Sequence, residues 1–246
     1  MHEELAALVH EELAALVRSC EALAMAGGSI IAIASEKGGV GKSTLAASLA
    51  IHWHRQGLRV LAVDLDPQGT LQDWAAVAEA NEVDGPSVIG MADNVRKTVP
   101  ALADQHDITI LDCPGRMDSR LVSALAVADY ALVPVAPGAP DAWALSRVLE
   151  KIQEMQEHRP ELRAGVVVNR AIRTRVASTV VNQLSEVTNI AHCPVQVGNR
   201  APVAEAIAAG SGVTVYDSGS VASMEVRRLA DWLRAEISAA AGESAA

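Results

Sequence analysis

A loop with two lysines, three glycines and two hydroxyl side chains occupies residues 36–44, which read EKGGVGKST. Glycine lets successive backbone N–H groups converge on an anion, because no Cβ stands in the way. A helical pattern starts near Lys42, so the positive end of a helix and the Lys42 ammonium face the same point. Ser43 adds a hydroxyl that can bind Mg²⁺. These features predict phosphate binding by Gly38, Gly39, Val40, Gly41, Lys42, Ser43 and Thr44.

Two carboxylates that follow apolar runs are candidates for the chemistry at such a loop. Asp112 ends the run 107–111 (DITIL), which is the Walker B arrangement, and its carboxylate would hold the shell of a Mg²⁺ ion through water. Asp66 follows the run 58–63 (LRVLAV), where it can accept a proton or hold a water in line with a γ-phosphate. A helix N-cap in the Asp-Pro turn is the structural alternative for Asp66. Neighbouring Asp64 is a further candidate for orienting the magnesium shell.

One position departs from the general Walker A pattern, which has glycine where this chain has Glu36. A second lysine, Lys37, follows it. The form KGGxGK[ST] resembles the deviant Walker A box of the ParA/MinD family of ATPases, in which the lysine at the place of Lys37 crosses a dimer interface to the partner's nucleotide. The apolar run before the loop and the helical pattern after it disfavour the alternative, a chance glycine-rich turn.

The resemblance extends to two further motifs, DLDPQG at residues 64–69 and DCPG at residues 112–115. It implies hydrolysis of ATP with Mg²⁺, slow without a partner, in which positioning and electrostatics supply most of the catalysis. Asp66 takes the place of the family's switch I aspartate, which orients or activates the attacking water. The implied catalytic residues are Lys37, Lys42, Asp66 and Asp112, and the implied metal-site residues are Ser43, Asp66 and Asp112.

The same resemblance assigns two residues to the nucleotide. Gly115 is expected to present its backbone N–H to the γ-phosphate. Asn169 follows the run 166–168 (VVV), as the family's base-contacting asparagine does, and an amide can both donate to and accept from the adenine edge. A polar strand cap is the alternative for Asn169. The segment 194–217 also resembles the family segment that packs by the base.

Composition favours a single α/β domain. The chain has 246 residues, half of them hydrophobic, but only 2% are aromatic. A core of Ala, Val, Leu and Ile is typical of helices packed on a parallel sheet. Apolar runs alternate with helical patterns, which predicts a doubly wound, mostly parallel sheet flanked by helices, the P-loop NTPase fold. The predicted strands are 30–33, 58–63, 107–111, 130–135, 166–168 and 193–197, and the predicted helices are 45–53, 71–80, 91–105, 141–157 and 220–239, with a turn-rich connection at 81–90.

Residues 1–27 are set apart from this domain by Gly27 and Gly28. They contain the sequence HEELAALV twice, at 2–9 and 10–17, with the apolar residues spread over roughly half of a helical circumference. We expect an amphipathic helical extension at 1–27 and an ATPase domain at 28–246. The polar face of the helix is acidic, which argues against an anionic membrane surface. Docking on its own domain and binding to a partner are both open.

A formal net charge of −10 argues against a globally basic nucleic-acid binder, although arginines cluster locally. ParA-type proteins use such residues to bind DNA phosphates without sequence preference, and a solvated surface is the alternative. The three cysteines are widely spaced, so we expect neither a disulfide framework nor a metal site made from them. The candidate arginines are Arg170, Arg173, Arg175, Arg200, Arg227, Arg228 and Arg234, and the cysteines are Cys20, Cys113 and Cys193.

The resemblance is strongest to small ParA-type partition and cargo-positioning ATPases, and the DAW segment at 141–143 agrees with it. ATP would assemble a sandwich homodimer, which holds nucleoid DNA until a ParB-like or cargo adaptor partner stimulates hydrolysis. The expected location is therefore cytoplasmic and nucleoid-associated, with no membrane attachment. The cargo is left open among a plasmid, a chromosome and a protein organelle.

Three alternatives share parts of this pattern. A MinD-like division-site regulator would need a basic amphipathic membrane helix at its end, where this chain reads AAAGESAA. An iron–sulfur carrier of the Mrp type would need a cysteine pair, which the sequence does not contain. An ATP-switched interaction module without significant hydrolysis would not need both Asp66 and Asp112.

Overall fold

Seven strands form one sheet in the described part of the chain, and every neighbouring pair is parallel. The computed structural model describes residues 28–137, 139–171 and 190–244. The strands are β1 (Ser29–Ile33), β2 (Val60–Asp64), β3 (Ser87–Gly90), β4 (Ile108–Asp112), β5 (Tyr130–Val135), β6 (Arg163–Ala171) and β7 (Ala191–Gly198). The helices are α1 (Lys42–His54), α2 (Thr70–Ala80), α3 (Val95–Ala103), α4 (Ser119–Leu125), α5 (Ala139–His158), α6 (Ala201–Ala208), α7 (Val213–Tyr216) and α8 (Val221–Ser244).

Several predictions concern residues outside this description. The amphipathic helix at 1–27, the domain boundary that follows it, Cys20, Arg173 and Arg175 are not among the described residues. The side chains of the DAW segment at 141–143 are also outside them.

The sheet is doubly wound, as predicted. Its strand order is β3-β2-β4-β1-β5-β6-β7, so the chain starts in the middle and builds outward in both directions. The central strands β1, β2, β4 and β5 are buried at every position, because helices cover both faces. This explains why they are continuous apolar runs rather than alternating patterns.

Side chains alternate between two cores on the two faces of the sheet. In β1, Ile31 and Ile33 pack into the core that α1, α2, α6, α7 and α8 cover, whereas Ile30 and Ala32 pack into the core under α3, α4 and α5. The carboxyl ends of the strands share one edge of the sheet, which is where open α/β sheets bind ligands.

The sequence did not predict β3. Residues 81–90 were expected to be a connection, but Ser87–Gly90 pairs with β2 at the edge of the sheet. Ser87 and Gly90 are exposed and the two residues between them are half-buried. A strand this exposed needs no apolar run, so its sequence shows no hydrophobic pattern that would predict it. The helix predicted at 91–105 is shorter, since it starts after Asn94, whose φ of 61° is left-handed. Helices α4, α6 and α7 were also not predicted.

No helix among the described residues is both long and apolar enough to cross a membrane.

Candidate nucleotide-binding site

The glycine-rich loop joins β1 to α1 at the carboxyl edge of the sheet. Gly39 and Gly41 have φ values of 76° and 90°, which lie in the left-handed region that favours glycine. Lys42, the first residue of α1, is buried, and its Nζ donates a hydrogen bond of 3.2 Å to the carbonyl oxygen of Lys37. Burial lowers the pKa of Lys42, while the nearby Asp112 carboxylate raises it. A carbonyl group of the loop therefore holds the Lys42 ammonium group inside the loop.

Two side chains at the end of β6 donate hydrogen bonds to this loop. Asn169 is 4% exposed, and its Nδ2 donates a hydrogen bond of 2.7 Å to the carbonyl oxygen of Val40. Arg170, whose φ of 55° is left-handed, donates from Nη1 to the carbonyl oxygen of Gly39 at 2.6 Å. The sequence offered Arg170 only as a DNA contact, whereas in this structure its guanidinium lies against the phosphate loop.

A cavity of about 380 Å³ opens beside Asn169. Its walls come from the start of α1, the ends of β6 and β7, and helix α6, which belongs to the segment 194–217 that was expected to lie near the base. Most of the lining is small or aliphatic, as suits a flat heterocycle. The lining includes Gly41, Thr44, Asn169, Arg170, Val203 and Ile207.

Asp112 lies at the carboxyl end of β4 and is completely buried. Neither carboxylate oxygen receives a hydrogen bond from the described residues. Burial is the main reason why the pKa of Asp112 rises to about 7; the Ser43 hydroxyl is close enough to lower it, and the Asp64 carboxylate raises it. Two buried carboxylate oxygens that receive no backbone hydrogen bond from the described residues, next to a serine hydroxyl, fit the outer shell of a hydrated Mg²⁺ ion.

The described residues contain no group of three or more His, Cys, Asp or Glu side chains that could hold a metal ion. Proteins usually bind Mg²⁺ through one or two carboxylates together with water and substrate phosphates. Ser43 and Asp112 therefore have the chemistry expected for magnesium that arrives with a nucleotide.

Asp64 has a structural role that the sequence did not indicate. Its Oδ2 accepts hydrogen bonds from the backbone N–H groups of Leu71 and Gln72 at 3.0 and 3.1 Å, and its Oδ1 accepts one from Asp66 at 3.0 Å. Three amide donors thus occupy the carboxylate that was a candidate for the magnesium shell. Asp64 anchors the turn before α2 and, with it, the backbone of Asp66, while its part in the magnesium shell stays a prediction.

Asp66 is half-buried on this turn, at the same edge as Lys42 and Asp112. Its Oδ1 accepts a hydrogen bond of 3.0 Å from the Gln68 N–H, while Gly69 occupies the N-cap position of α2. The alternative interpretation of Asp66 as a helix cap is therefore wrong, because the carboxylate that supports α2 belongs to Asp64.

Gly115 lies against the phosphate loop. A Cβ added at this position would stand 3.1 Å from the Cα of Gly38 and 3.3 Å from the Nζ of Lys42. Glycine thus lets the DCPG turn approach both the loop backbone and the ammonium. This is the place from which a backbone N–H can reach a terminal phosphate.

Lys37 lies under helix α5. Its side chain is half-buried, and it lines a small gap together with Val40, Ala144 and Leu145. The preceding residue, Glu36, forms an ion pair with Arg147 of α5, with 2.6 Å between Arg147 Nε and Glu36 Oε2. No sequence motif indicated this pair, because its members lie in separate elements that only the fold brings together.

The candidate DNA-binding arginines differ in their surroundings. Arg200 pairs with Glu225 through two contacts of 2.9 and 2.6 Å. Arg227 is exposed and donates to the carbonyl oxygen of Thr214 at 3.4 Å, and Arg228 is exposed on α8.

Residues 31–213 match the family described as the CobQ/CobB/MinD/ParA nucleotide binding domain. The chain belongs to this family. The match covers the phosphate loop, both aspartate motifs and the end of β6, so the elements of the site fall within it. It confirms the resemblance on which the sequence interpretation was built.

Among curated relatives, the maintenance of carboxysome distribution protein A of Halothiobacillus neapolitanus is 29% identical over 77% of this chain and 88% of its own length. The chromosome-partitioning ATPase Soj of Thermus thermophilus is 30% identical over 84% of this chain and 96% of its own length. Both similarities extend over most of each protein. The chain is therefore a ParA/MinD-type ATPase by family, similar to proteins that position cellular cargo.

The crystal structure of cobyrinic acid a,c-diamide synthase from Mycobacterium smegmatis with a bound ATP analogue and magnesium matches with a TM-score of 0.67 at 20% identity. The match covers 84% of this chain and 94% of that one. At this identity the likeness shows the fold alone, and it confirms the predicted fold class. The ligands of that structure are the two that the sequence of this chain predicts.

Proposed function

We propose that this protein is an ATPase that positions or segregates a cargo by cycling between an ATP-bound dimer on DNA and a released monomer. The observation that supports it most directly is Asp112, a completely buried carboxylate beside the lysine and the serine of a phosphate loop, whose oxygens have no backbone donor among the described residues. Such a group costs stability unless a ligand uses it.

Some residues of the site bind the nucleotide and Mg²⁺, and others act in hydrolysis. The loop N–H groups and Lys42 bind the β- and γ-phosphates, and the cavity beside Asn169 takes the adenine. Mg²⁺, when bound, neutralises charge on the phosphate oxygens. Ser43 and Asp112 hold it there, and Asp112 acts through water. Gly115 offers a backbone N–H to the γ-phosphate.

Asp66 orients the attacking water. Its Oδ1 is fixed by the Gln68 N–H and its backbone is fixed by Asp64, so the carboxylate has one defined position at the phosphate edge. A carboxylate held in this way can align a water with the γ-phosphate and receive its proton. The pre-set position of Asp66 lowers the entropy cost of the reaction.

The partner steps of the cycle rest on the relatives. One relative is named for carboxysome distribution and another for chromosome partitioning. We assign to Lys37 the contact with the nucleotide of a second copy, and to exposed arginines such as Arg228 the contact with DNA phosphates. A ParB-like or cargo adaptor protein stimulates hydrolysis and releases the dimer, and the protein is cytoplasmic and nucleoid-associated.

A DNA-binding assay with ATP, with ADP and without nucleotide tests this proposal. We expect binding of a random-sequence duplex with ATP only, loss of binding in Lys42→Ala, and a steep decrease with salt. Arg228→Ala should weaken binding, whereas Arg96→Ala, which removes an exposed arginine on α3 at the opposite face of the sheet, should not. Binding that ignores the nucleotide would overturn the proposal, and binding to anionic liposomes instead of DNA would favour a MinD-like regulator.

A further inference from the structure

Glu36 puts a negative charge at the start of a loop that binds negatively charged phosphates. Its side chain is only 18% exposed. A carboxylate at low exposure acts over several ångströms, because little water screens it. Without compensation, Glu36 would oppose the function of its own loop.

Arg147 supplies that compensation from α5. Its Nε lies 2.6 Å from Glu36 Oε2. Lys42 and Arg170 make other contacts at the loop: Lys42 donates to the Lys37 carbonyl, and Arg170 donates to the Gly39 carbonyl. The ion pair with Glu36 therefore assigns the compensation to Arg147.

Helix α5 lies next to this part of the loop. Leu145 is buried and, with Ala144, lines the same small gap as Lys37 and Val40. The gap has a volume of about 10 Å³. Arg147 follows Leu145 by two positions, and from there its guanidinium reaches Glu36.

We propose that Arg147 is a positioning residue of the nucleotide site, which neutralises Glu36 and so lets a carboxylate occupy the Walker A glycine position without repelling ATP. This proposal rests on the proposed function in that the ligand is ATP. The alternative is that the ion pair only attaches α5 to the loop. The two explanations predict opposite ATP affinities for a variant in which both charges are removed.

A set of neutral substitutions separates the two explanations. Arg147→Gln leaves Glu36 uncompensated, so ATP binding should weaken about three- to ten-fold, the size of one screened charge at close range. Glu36→Gln should bind ATP as well as the wild type or better. The double variant Glu36→Gln/Arg147→Gln should recover the wild-type affinity, whereas loss of a tether would leave all three variants weak.

The measurement is calorimetric titration of the full chain with Mg²⁺ and a non-hydrolysable ATP analogue, at about 0.05 M and about 0.5 M salt. The defect of Arg147→Gln should shrink at the higher salt, because ions screen the exposed charge. Lys151→Gln is the matched control, since Lys151 lies one turn further along α5 and pairs with Glu154. This control should bind like the wild type.

The side chain of Arg147 is 63% exposed, so its ion pair adds little to the stability of the fold. Circular dichroism should therefore show Arg147→Gln folded, and Arg147→Lys should keep most of the affinity because it keeps the charge. Unchanged affinity in Arg147→Gln, or no recovery in the double variant, would overturn the inference. Wild-type protein that does not bind the analogue would instead overturn the proposed function.

Discussion

Asp112 is a carboxylate that this fold keeps completely buried at the end of a central strand. In the folded protein its pKa is raised to about 7, mainly by burial, whereas an aspartate in an unfolded chain has a pKa of about 4. Between these two values the folded protein holds a proton that the unfolded chain has released. The contribution of Asp112 to stability must therefore fall as the pH rises through this window and level off above about pH 7.

The variant Asp112→Asn removes this contribution. We expect its gain in stability over the wild type to be small near pH 4 and to grow to as much as about 4 kcal/mol near pH 8, because each tenfold change in the acid dissociation constant is worth about 1.4 kcal/mol. Urea unfolding without nucleotide or Mg²⁺, across this pH range, measures the difference. A gain that is the same at every pH would show that Asp112 is not protonated in the folded protein.

Gly41 is the loop residue with the least room for a side chain. Its φ is 90°, and an added Cβ would stand 2.5 Å from Nδ2 of Asn169, which is bonded to the Val40 carbonyl. Gly41→Ala should therefore cost about 1–3 kcal/mol, from the left-handed backbone and the displaced amide.

Gly38→Ala is the matched substitution for Gly41→Ala, because a Cβ there meets nothing within 4 Å. Thermal unfolding without nucleotide should show a midpoint lowered by several degrees for Gly41→Ala and nearly unchanged for Gly38→Ala. Equal midpoints would mean that the loop opens away from Asn169 at no cost.

At the scale of elements, α2 depends on a carboxylate from the preceding strand. Asp64 Oδ2 accepts the N–H groups of Leu71 and Gln72, which lie in the first turn of α2 and have no partner inside the helix. The same carboxylate supports the turn that carries Asp66. One side chain thus connects the start of a helix to the backbone of Asp66.

Asp64→Ala should destabilise the protein by about 2–4 kcal/mol, because it leaves buried amide groups without an acceptor. Hydrogen exchange at the amides of Leu71 and Gln72 should accelerate. Asp73→Ala, which removes an exposed acidic residue from the same first turn, should leave both quantities nearly unchanged. If the amides of Asp64→Ala exchange as slowly as those of the wild type, another group caps α2.

The sequence predicted those elements and residues whose signal is local. Strands β1, β2, β4 and β5 are buried on both faces, so they read as apolar runs, and the phosphate loop is one continuous motif. Strand β3 is short and half-exposed, and α4 has only seven residues, marked mainly by its N-cap Asp118. Both therefore lacked a periodic pattern of sufficient length.

The contacts that position the phosphate loop could not be predicted from the sequence, for a different reason. Arg170 and Arg147 reach the loop from β6 and α5, and these elements become neighbours of the loop only through the order of strands in the sheet. The sequence identified Asp64 as a candidate for the magnesium shell. Its hydrogen bonds to α2 depend on the path of the turn at residues 65–69, which the sequence did not show. Local sequence gives the residue types, whereas tertiary contacts decide the roles.

At the scale of the whole molecule, the proposed function takes the residues for nucleotide binding and for hydrolysis from one chain. Only the role assigned to Lys37 involves a second copy. That lysine lies at the loop and beside α5, separate from Lys42, which already fills the centre of the loop. A second lysine at this place is chemically useful if another set of phosphates approaches. In the proposed cycle those phosphates belong to the nucleotide of a second copy.

Asp66→Ala should trap the ATP-bound dimer, because loss of the water-orienting carboxylate stops hydrolysis while the phosphate contacts remain. Size-exclusion chromatography with light scattering at micromolar concentration should show a dimer with ATP and a monomer with ADP. Lys37→Ala should stay monomeric with ATP yet keep part of its nucleotide affinity, since Lys42 and the loop N–H groups are unchanged. A monomeric Asp66→Ala protein with ATP bound would rule out the sandwich dimer, and a dimeric Lys37→Ala protein would reduce Lys37 to an ordinary loop residue.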